Sequence, residues 1–339
     1  MVRRARDLPG KIGSPTRNTQ LPEGVWIVPL VSVVIPAYNC VLYLEETIRS
    51  ILGQTASDIE IIVINDGSTD ATGAIARSFG EPVRVFDQPN SGVSTARNHG
   101  VREARGAFIA LVDHDDYWFP NKLANQLTAF EGHPQVDVVF SDFTRWHQNG
   151  GGGRFPEPST FLPQAAPQGI DNEYSGWIYH QMLLDSWVLT STALVRTEVV
   201  LANGGFDETL PYSEDWDFWL RLSRTSQFLK LREATTLYRQ HADQGSRVTR
   251  AVDYRTRLLE AAAERWGLCS PDGGYVPPRV FKRQLAQYSA FFGRDHLLGG
   301  VGASRYIAAR SFIKAWQIDH TYWRSLLYLA ATPFYTPRG

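Results

Sequence analysis

Cysteine is scarce in this chain, and long apolar runs are absent. Only Cys40 and Cys269 occur among its 339 residues, which is too few for a disulfide framework or a cysteine-ligated zinc site. No apolar run reaches the roughly eighteen residues that a membrane-spanning helix needs, and the N-terminal segment lacks the apolar core of a signal peptide. These absences predict a cytoplasmic protein in a reducing compartment.

An excess of charge of either sign is absent as well. The 34 Lys and Arg residues balance 35 Asp and Glu residues, which gives a formal net charge of −1. A nucleic-acid-binding domain is usually clearly basic, so no nucleic-acid partner is expected. The remaining composition, 43% hydrophobic and 20% charged, is typical of a globular protein with a sizeable core.

Apolar runs alternate with helical periodicity in the first third of the chain. Each run is short enough for a strand, and each intervening segment repeats its apolar residues at helical spacing. This order predicts a mostly parallel, doubly wound α/β sheet with right-handed crossovers. The predicted strands cover 31–36, 59–64, 83–86 and 108–112, and the predicted helices cover 42–52, a segment ending at 79, and 94–104.

The pattern continues beyond this sheet. A helix is expected over 121–131 and a strand over 136–140. A long loop over 147–175 is rich in glycine and proline and is a candidate lid or acceptor-binding loop. Ser213 is expected to cap a further helix, and the chain over 253–329 is predicted to be mainly helical.

Three acids follow the fourth predicted strand directly. Asp113 and Asp115 alternate, so in an extended chain their side chains point the same way, and both Asp115 and Asp116 could reach a hard divalent cation. Because ligands bind at the carboxyl edge of an open α/β sheet, this cluster is a candidate metal site. The alternative is a solvated acidic loop that caps the next helix.

Two earlier strands also end in polar clusters. The segment Pro36–Asn39 places a tyrosine ring where it could stack on a nucleobase or simply cover the strand end. Asp66 precedes a glycine turn and could accept a hydrogen bond from a base N–H, or shape an Asx turn. Arg97 lies inside a helix opened by a glycine turn, a placement suited to a diphosphate or to a surface ion pair.

Later acids and a histidine complete the candidates. Asp215 begins a predicted helix together with Glu214, and a carboxylate there could serve as general base if it reaches the hydroxyl that it deprotonates. The helix dipole is expected to lower the pKa of Asp215 and keep it ionised. His241 could ligate a metal ion or contact a phosphate. Taken singly, each also fits an ordinary helix start or a structural histidine.

Taken together and in this order, the clusters resemble those of glycosyltransferase family 2, the inverting nucleotide-sugar glycosyltransferases with the GT-A fold. The resemblance covers about residues 30–250. It implies an α/β fold of GT-A type, a Rossmann-like, mostly parallel central sheet flanked by helices, followed here by a helical C-terminal extension. Asn65 stands where the family has the first acid of a doublet, which leaves the nucleotide base open.

The resemblance also implies a role for each cluster. Asp113-His114-Asp115 matches the Asp-x-Asp motif, whose second acid holds a metal ion that bridges the diphosphate. Asp215 matches the catalytic base, and Glu214 is its near rival. The implied residues are Pro36, Ala37, Tyr38, Asn39, Asp66, Arg97, Asp113, His114 and Asp115 for donor binding, Asp115 and His241 for the metal ion, and Asp215 and Glu214 for catalysis.

The implied function is transfer of a sugar from a nucleotide diphosphate donor, a UDP-sugar, to a hydroxyl of a saccharide or lipid-linked acceptor. Mn²⁺ or Mg²⁺ is the implied cofactor, and envelope or capsular polysaccharide synthesis is the expected setting. A sugar-phosphate nucleotidyltransferase is one alternative, but it would need a basic, glycine-rich segment that Pro36–Cys40 does not provide. A non-catalytic nucleotide-sugar-binding protein is another, and it would not need Asp215.

Three regions follow from this interpretation. Residues 1–29 are expected to form a disordered or extended tail. Residues 30–250 form the catalytic domain, with a donor half over 30–118 and an acceptor half over 119–250. Residues 251–339 form the helical extension, whose apolar face is flanked by basic residues. We expect this face to pack on the catalytic domain; the alternative is peripheral association with the inner face of the membrane.

Overall fold

The computed structural model describes residues 29–149, 153–161, 168–242, 244–245, 248–299 and 302–334. All but the last residue of the predicted N-terminal tail lies outside these residues, as do parts of the predicted 147–175 loop. The strands are β1 (Val31–Ala37), β2 (Ile59–Asp66), β3 (Val83–Gln88), β4 (Phe108–Leu111), β5 (Tyr117–Trp118), β6 (Val138–His147), β7 (Ile170–Gly176), β8 (Leu194–Arg196) and β9 (Phe228–Gln240). The helices are α1 (Leu44–Leu52), α2 (Thr72–Ser78), α3 (Val93–Glu103), α4 (Lys122–Gly132), α5 (Tyr179–Met182), α6 (Thr197–Ala202), α7 (Glu214–Leu222), α8 (Tyr254–Trp266), α9 (Pro278–Leu298), α10 (Arg305–Ile318) and α11 (Arg324–Ala331).

The nine strands form one sheet in the order β3-β2-β1-β4-β8-β6-β9-β5, with β7 beside β9. The first four strands along this order pair in parallel, as predicted. Every residue of β1 and β4 is buried, because helices cover both faces of a parallel sheet. That burial explains why these strands are almost entirely apolar, with Ser32 as the one polar residue in β1 and β4. Parallel pairing brings the carboxyl ends of β1, β2 and β4 to one edge.

The second half of the sheet mixes directions. β8 pairs antiparallel with β4 and β6, and β5 and β7 pair antiparallel with β9. β6 and β9 run parallel to each other over ten residue pairs. β9 is the longest strand, with 13 residues, and the sequence patterns did not predict it.

Helix α7 begins where expected, but the prediction that Ser213 caps it is wrong. Ser213 has a φ of 62° and its side chain makes no capping hydrogen bond. An N-cap residue usually has an extended backbone conformation, and Ser213 is instead left-handed. Non-glycine residues held in this region cost about 1–3 kcal/mol and cluster at functional sites.

The C-terminal extension packs on the rest of the chain through its first two helices. Leu259 of α8 and Phe281 and Leu285 of α9 join the same buried cluster as Trp216 and Phe218 of α7. α10 then packs on α9 through Phe312 and its neighbours. No helix within the described residues combines the length and apolar character that crossing a bilayer requires.

Helix α11 is the least buried element of the extension. Ser325 is the buried residue of this helix. Trp323, which directly precedes the helix, is 60% exposed, and Leu326 and Leu327 are 42% and 59% exposed. Arg324 lies among them. Membrane association through these helices stays a prediction.

Candidate functional site

A cleft of about 960 Å³ opens at the carboxyl edge of the parallel strands. The ends of β1 and β2, the turn after β4, the start of α7 and the segment after β9 all contribute to its lining. Eleven predicted site residues line this one cleft, namely Pro36, Ala37, Tyr38, Asp66, Arg97, Asp113, His114, Asp115, Glu214, Asp215 and His241. Their placement together is an observation, and their individual roles stay predictions.

The twelfth predicted residue, Asn39, is not part of the lining. Its Oδ1 accepts a hydrogen bond from the backbone N–H of Thr69 at 2.8 Å, and its own N–H donates to Ser68 Oγ at 3.0 Å. Asn39 therefore ties the loop after β1 to the loop after β2. Tyr38, beside it, is 46% exposed and presents its ring at the cleft.

The Asp66 carboxylate organises the turn that opens α3. It accepts hydrogen bonds from Gln88 Nε2 at 2.8 Å, from Ser91 N at 2.8 Å and from Gly92 N at 2.9 Å. A carboxylate offers about four acceptor positions, so one position stays available to a ligand. Gly67, which follows, has a φ of +72°, and a Cβ there would lie 2.6 Å from Asn90 N. Only glycine fits this turn without displacing the backbone.

Arg97 is an internal ion-pair partner. The side chain is 4% exposed, and its Nη2 and Nη1 atoms donate to Asp113 Oδ1 at 2.7 Å and to Glu214 Oε1 at 3.0 Å. The expected surface ion pair is therefore wrong, since this pair is buried. Burial opposes the charge on Arg97, yet the neighbouring carboxylates raise its pKa further. Arg97 joins the acid motif after β4 to the start of α7.

The Asp115 side chain is hydrogen-bonded to His241, at 2.8 Å between Oδ2 and Nε2. Burial opposes ionisation of Asp115, but the His241 hydrogen bond and the nearby His114 outweigh it and lower the pKa of Asp115. The remaining ring nitrogen of His241, Nδ1, is buried and has no hydrogen-bond partner among the described residues. The two predicted metal ligands thus lie side by side in the cleft.

The expectation that Asp116 could also reach a cation is wrong. The chain turns after Asp113 instead of continuing as a strand, so Asp116 points into the protein and is fully buried. Its Oδ1 accepts a hydrogen bond from the backbone N–H of Arg239 at 3.1 Å. Burial, together with the charges of Asp115 and Asp113, raises the pKa of Asp116 well above its usual value.

Sequence patterns missed Arg239 as a support for the turn that carries Asp115. Its Nε donates to the backbone carbonyl of Asp115 at 2.7 Å, and its Nη2 donates to Glu46 Oε2 at 2.5 Å. The guanidinium lies 3.9 Å from the ring centre of Trp146 and 4.7 Å from that of Phe155. These partners come from separate segments of the chain, so no local sequence motif predicts these contacts.

Asp215, the predicted catalytic base, lines the cleft with a raised pKa. Burial and the adjacent Glu214 carboxylate raise the pKa of Asp215 to about 6. The expectation that the helix dipole would lower this pKa is wrong, because burial outweighs the dipole. Asp215 Oδ1 accepts from the backbone N–H of Trp216 at 2.7 Å, and no side chain in the described ranges donates to Asp215. Glu214, in contrast, is engaged by Arg97.

The two predicted metal ligands fit a divalent cation whose remaining coordination positions a bound diphosphate would fill. Within the described residues no group of three or more His, Cys, Asp and Glu side chains is arranged to hold a metal ion by itself. Asp115 and His241 supply one carboxylate and one imidazole, and Mg²⁺ in phosphate-binding sites is commonly held by one or two carboxylates plus substrate phosphates. Six carboxylates face only three guanidinium groups across the cleft lining. A diphosphate entering this cleft needs a counter-charge.

Comparison with known proteins adds an independent line of evidence. A family model described as Glycosyl transferase family 2 matches residues 32–180. The uncharacterized glycosyltransferase RT0329 of Rickettsia typhi is 34% identical over 199 residues, 58% of this chain and 60% of that protein. EpsJ of Bacillus subtilis, also an uncharacterized glycosyltransferase, is 33% identical over 63% of this chain and 62% of its own length. Hyaluronan synthase of Pasteurella multocida is 30% identical over 60% of this chain but only 20% of its own length. The match therefore spans less than two thirds of each relative.

Solved structures share the fold at lower identity. Residues 1–349 of Staphylococcus aureus TarS, in complex with UDP-GlcNAc, superpose with a TM-score of 0.59 at 19% identity, covering 90% of this chain and 87% of that chain. The mannosyltransferase PcManGT of Pyrobaculum calidifontis, with GDP-Man and Mn²⁺, superposes with a TM-score of 0.50 at 18% identity, covering 91% of this chain and 87% of that chain. The predicted α/β fold of GT-A type is confirmed.

Proposed function

We propose that this chain, whose residues 32–180 match the family model described as Glycosyl transferase family 2, transfers a sugar from a nucleotide diphosphate donor to a hydroxyl of a saccharide or lipid-linked acceptor. The observation that carries the proposal is the single cleft that holds Asp66, the Asp113–Asp115 turn and Asp215 together. The UDP-GlcNAc complex of TarS supports a UDP-sugar as donor. The GDP-Man complex of PcManGT makes guanosine the alternative base.

Each side chain has a chemical task in this proposal. Asp215 takes the proton from the acceptor hydroxyl while that oxygen attacks the anomeric carbon from the face opposite the diphosphate, so the sugar is transferred in one displacement with inversion. Tyr38 and the remaining acceptor position of Asp66 hold the nucleoside base. Asp115 and His241 would hold Mn²⁺ or Mg²⁺. When bound, such an ion neutralises charge on the departing diphosphate as a Lewis acid.

The rate of transfer should depend on pH through Asp215. A base accepts a proton only when it is ionised, and the pKa of Asp215 is raised to about 6. We therefore expect kcat/KM to rise as the pH increases through about 6 and to level off at higher pH, since kcat/KM reports the free enzyme. Initial rates of nucleoside diphosphate release across this range measure the profile. A flat profile near pH 6 would contradict the assignment of Asp215.

The donor site can be tested without a known acceptor. We expect uridine nucleotides, namely UDP and UDP-sugars, to raise the melting temperature of the protein when Mn²⁺ or Mg²⁺ is present. The increase should be much smaller when a chelator replaces the metal ion. Ligand at 100 times its Kd stabilises a protein by about 2.7 kcal/mol, which is about 5–10 °C for a domain of some 200 residues. Thermal unfolding with UDP, UDP-sugars, GDP, GDP-sugars and nucleoside triphosphates makes the measurement.

A control variant and the other possible results of the thermal-unfolding measurement distinguish the proposed function from its alternatives. An Asp115→Asn variant should lose the metal-dependent part of the shift, because it removes a proposed ligand. Stabilisation by triphosphates and not by nucleotide sugars would favour the nucleotidyltransferase alternative. Stabilisation by a nucleotide sugar without transfer to any acceptor would favour a non-catalytic binding protein. The absence of a shift with every nucleotide, for folded protein, would overturn the proposed function.

A further inference from the structure

A second cavity, of about 430 Å³, adjoins the donor cleft. Residues 248–255 and the α9 helix form its walls. Tyr212, Arg250, Arg255 and Tyr288 line both spaces, so the two spaces meet at these side chains. Tyr212 precedes Asp215 by three residues. A molecule with one end at Asp215 can therefore extend past Tyr212 into the second cavity.

The shared aromatic rings are held in fixed positions. Arg250 lies 4.7 Å and Arg255 lies 5.5 Å from the ring centre of Tyr212, and Arg255 Nη2 donates to the Tyr212 hydroxyl at 2.8 Å. The Tyr288 hydroxyl donates to the backbone carbonyl of Leu184 at 2.9 Å. Phe292, one turn further along α9, and Tyr254 add two more rings to the lining of the second cavity. Fixed rings beside a few polar groups are typical of a pre-formed ligand site.

The charges in this cavity balance. Two arginines, Arg250 and Arg255, face two acids, Asp253 and Asp295, whereas carboxylates outnumber guanidinium groups in the donor cleft. An anionic or cationic ligand would meet as many like charges as opposite ones. A neutral molecule rich in hydroxyl groups can instead donate to carboxylates and accept from guanidinium groups.

Two of these groups keep hydrogen-bonding capacity for such a ligand, since only one of the five N–H groups of Arg255 is used by Tyr212. In the part of the chain that the structure describes, Asp295 and Arg255 take part in no ion pair within 4.0 Å. Both side chains are exposed at the cavity. Aromatic faces packed on the C–H face of a sugar ring, with charged groups at its rim, would satisfy such a ligand.

We infer that the acceptor is a neutral saccharide of at least two sugar units, with its reacting unit at Asp215 and its next unit in the cavity between the 248–255 segment and α9. The inference rests on the proposed function and names the acceptor class for that site. It assigns part of acceptor recognition to the C-terminal extension, beyond the acceptor half expected at 119–250.

Saturation-transfer NMR tests this binding without requiring transfer. The probes are glucose, N-acetylglucosamine, cellobiose, lactose and N,N′-diacetylchitobiose, with glucuronic acid and glucose 6-phosphate as anionic controls. Spectra are recorded with Mg²⁺ and the nucleotide that stabilises the protein best, or without nucleotide if none does. We expect saturation of both rings of at least one neutral disaccharide, and weaker signals from the monosaccharides and anionic probes.

Two variants and a matched control locate the second unit. Phe292→Ala and Arg255→Gln should weaken disaccharide binding about tenfold, a larger loss than truncation of most interface residues causes. Phe291→Ala removes the neighbouring ring, which is 38% exposed and outside the cavity lining, and should leave affinity unchanged. The nucleotide-induced thermal shift should be the same in Phe292→Ala and Phe291→Ala, because neither ring lines the donor cleft.

Three results would overturn the inference. The first is the absence of a saturation-transfer signal from every neutral disaccharide, and the second is stronger binding of the anionic probes than of the disaccharides. The third is an equal disaccharide affinity in Phe292→Ala and Phe291→Ala. Failure of the proposed function shows separately, as a protein that no nucleotide stabilises. A disaccharide bound by such a protein would support the saccharide site while removing the donor site.

Discussion

Asparagine at position 215 is expected to lower kcat for sugar transfer by about 10²–10⁴-fold, the usual contribution of general acid–base catalysis. Asparagine keeps the shape of Asp215 and the hydrogen bond from Trp216 N, which is 2.7 Å long, but it cannot take a proton from the acceptor. The donor contacts proposed at Asp66 and Asp115 are untouched, so nucleotide affinity should change little. Transfer rates and nucleotide-induced thermal shifts on the same Asp215→Asn sample separate these two effects.

The helix that carries Asp215 also offers controls. Asp217→Asn makes the same chemical change one residue beyond Trp216, at a carboxylate that bonds Arg221 Nε at 2.7 Å and does not line the cleft. Its transfer rate should match the wild type. Glu214→Gln should lose less activity than Asp215→Asn, because Glu214 is already paired with Arg97. Equal loss of donor binding and transfer in Asp215→Asn would remove the assignment of the base.

The parallel half of the sheet could be predicted because its strands are buried on both faces. β4 is therefore an uninterrupted apolar run, and β1 is broken by a single polar residue, Ser32. β9 could not be predicted in the same way. Its burial is continuous over Phe228–Leu231, then breaks at Arg232 and resumes at Thr235. Its pairing with β6 also shifts register between Ser141 and Phe143, so no steady two-residue period survives.

The positions of the site residues could be predicted for a related reason. The clusters at Pro36–Asn39, Asp66 and Asp113–Asp115 lie at the ends of apolar strands, and parallel neighbouring strands bring their carboxyl ends to one edge. The environment of each residue could not be predicted, because distant segments create it. Arg97 meets Asp113 and Glu214 across separations of 16 and 117 residues. The helix dipole at Asp215 is a local feature that the sequence shows, whereas the burial that overrides it is not.

Methionine in place of Arg97 is expected to destabilise the fold by about 3–5 kcal/mol, the cost of removing one partner from a buried ion pair. Glu214, with a side chain 14% exposed, and Asp113, 30% exposed, would both lose their counter-ion. The charge of Arg97 also lowers the pKa of Asp215. Its loss should raise that pKa above about 6 and move the rising limb of the kcat/KM profile to higher pH. Urea unfolding and the pH profile of Arg97→Met measure the two effects.

Arg77→Met provides the matched control, because the Arg77–Asp87 ion pair has side chains that are 49% and 57% exposed. Exposed pairs contribute at most about 1 kcal/mol, so this variant should unfold nearly as the wild type does. Equal unfolding free energies for the two variants would contradict a buried role for Arg97. The double variant Arg97→Met/Glu214→Gln removes one of the two unpaired charges and should regain part of the stability. The guanidinium of Arg97 lies 5.1 Å from the ring centre of Phe206, and the double variant does not restore this contact. Any stability that it regains therefore comes from the removed charge and not from packing.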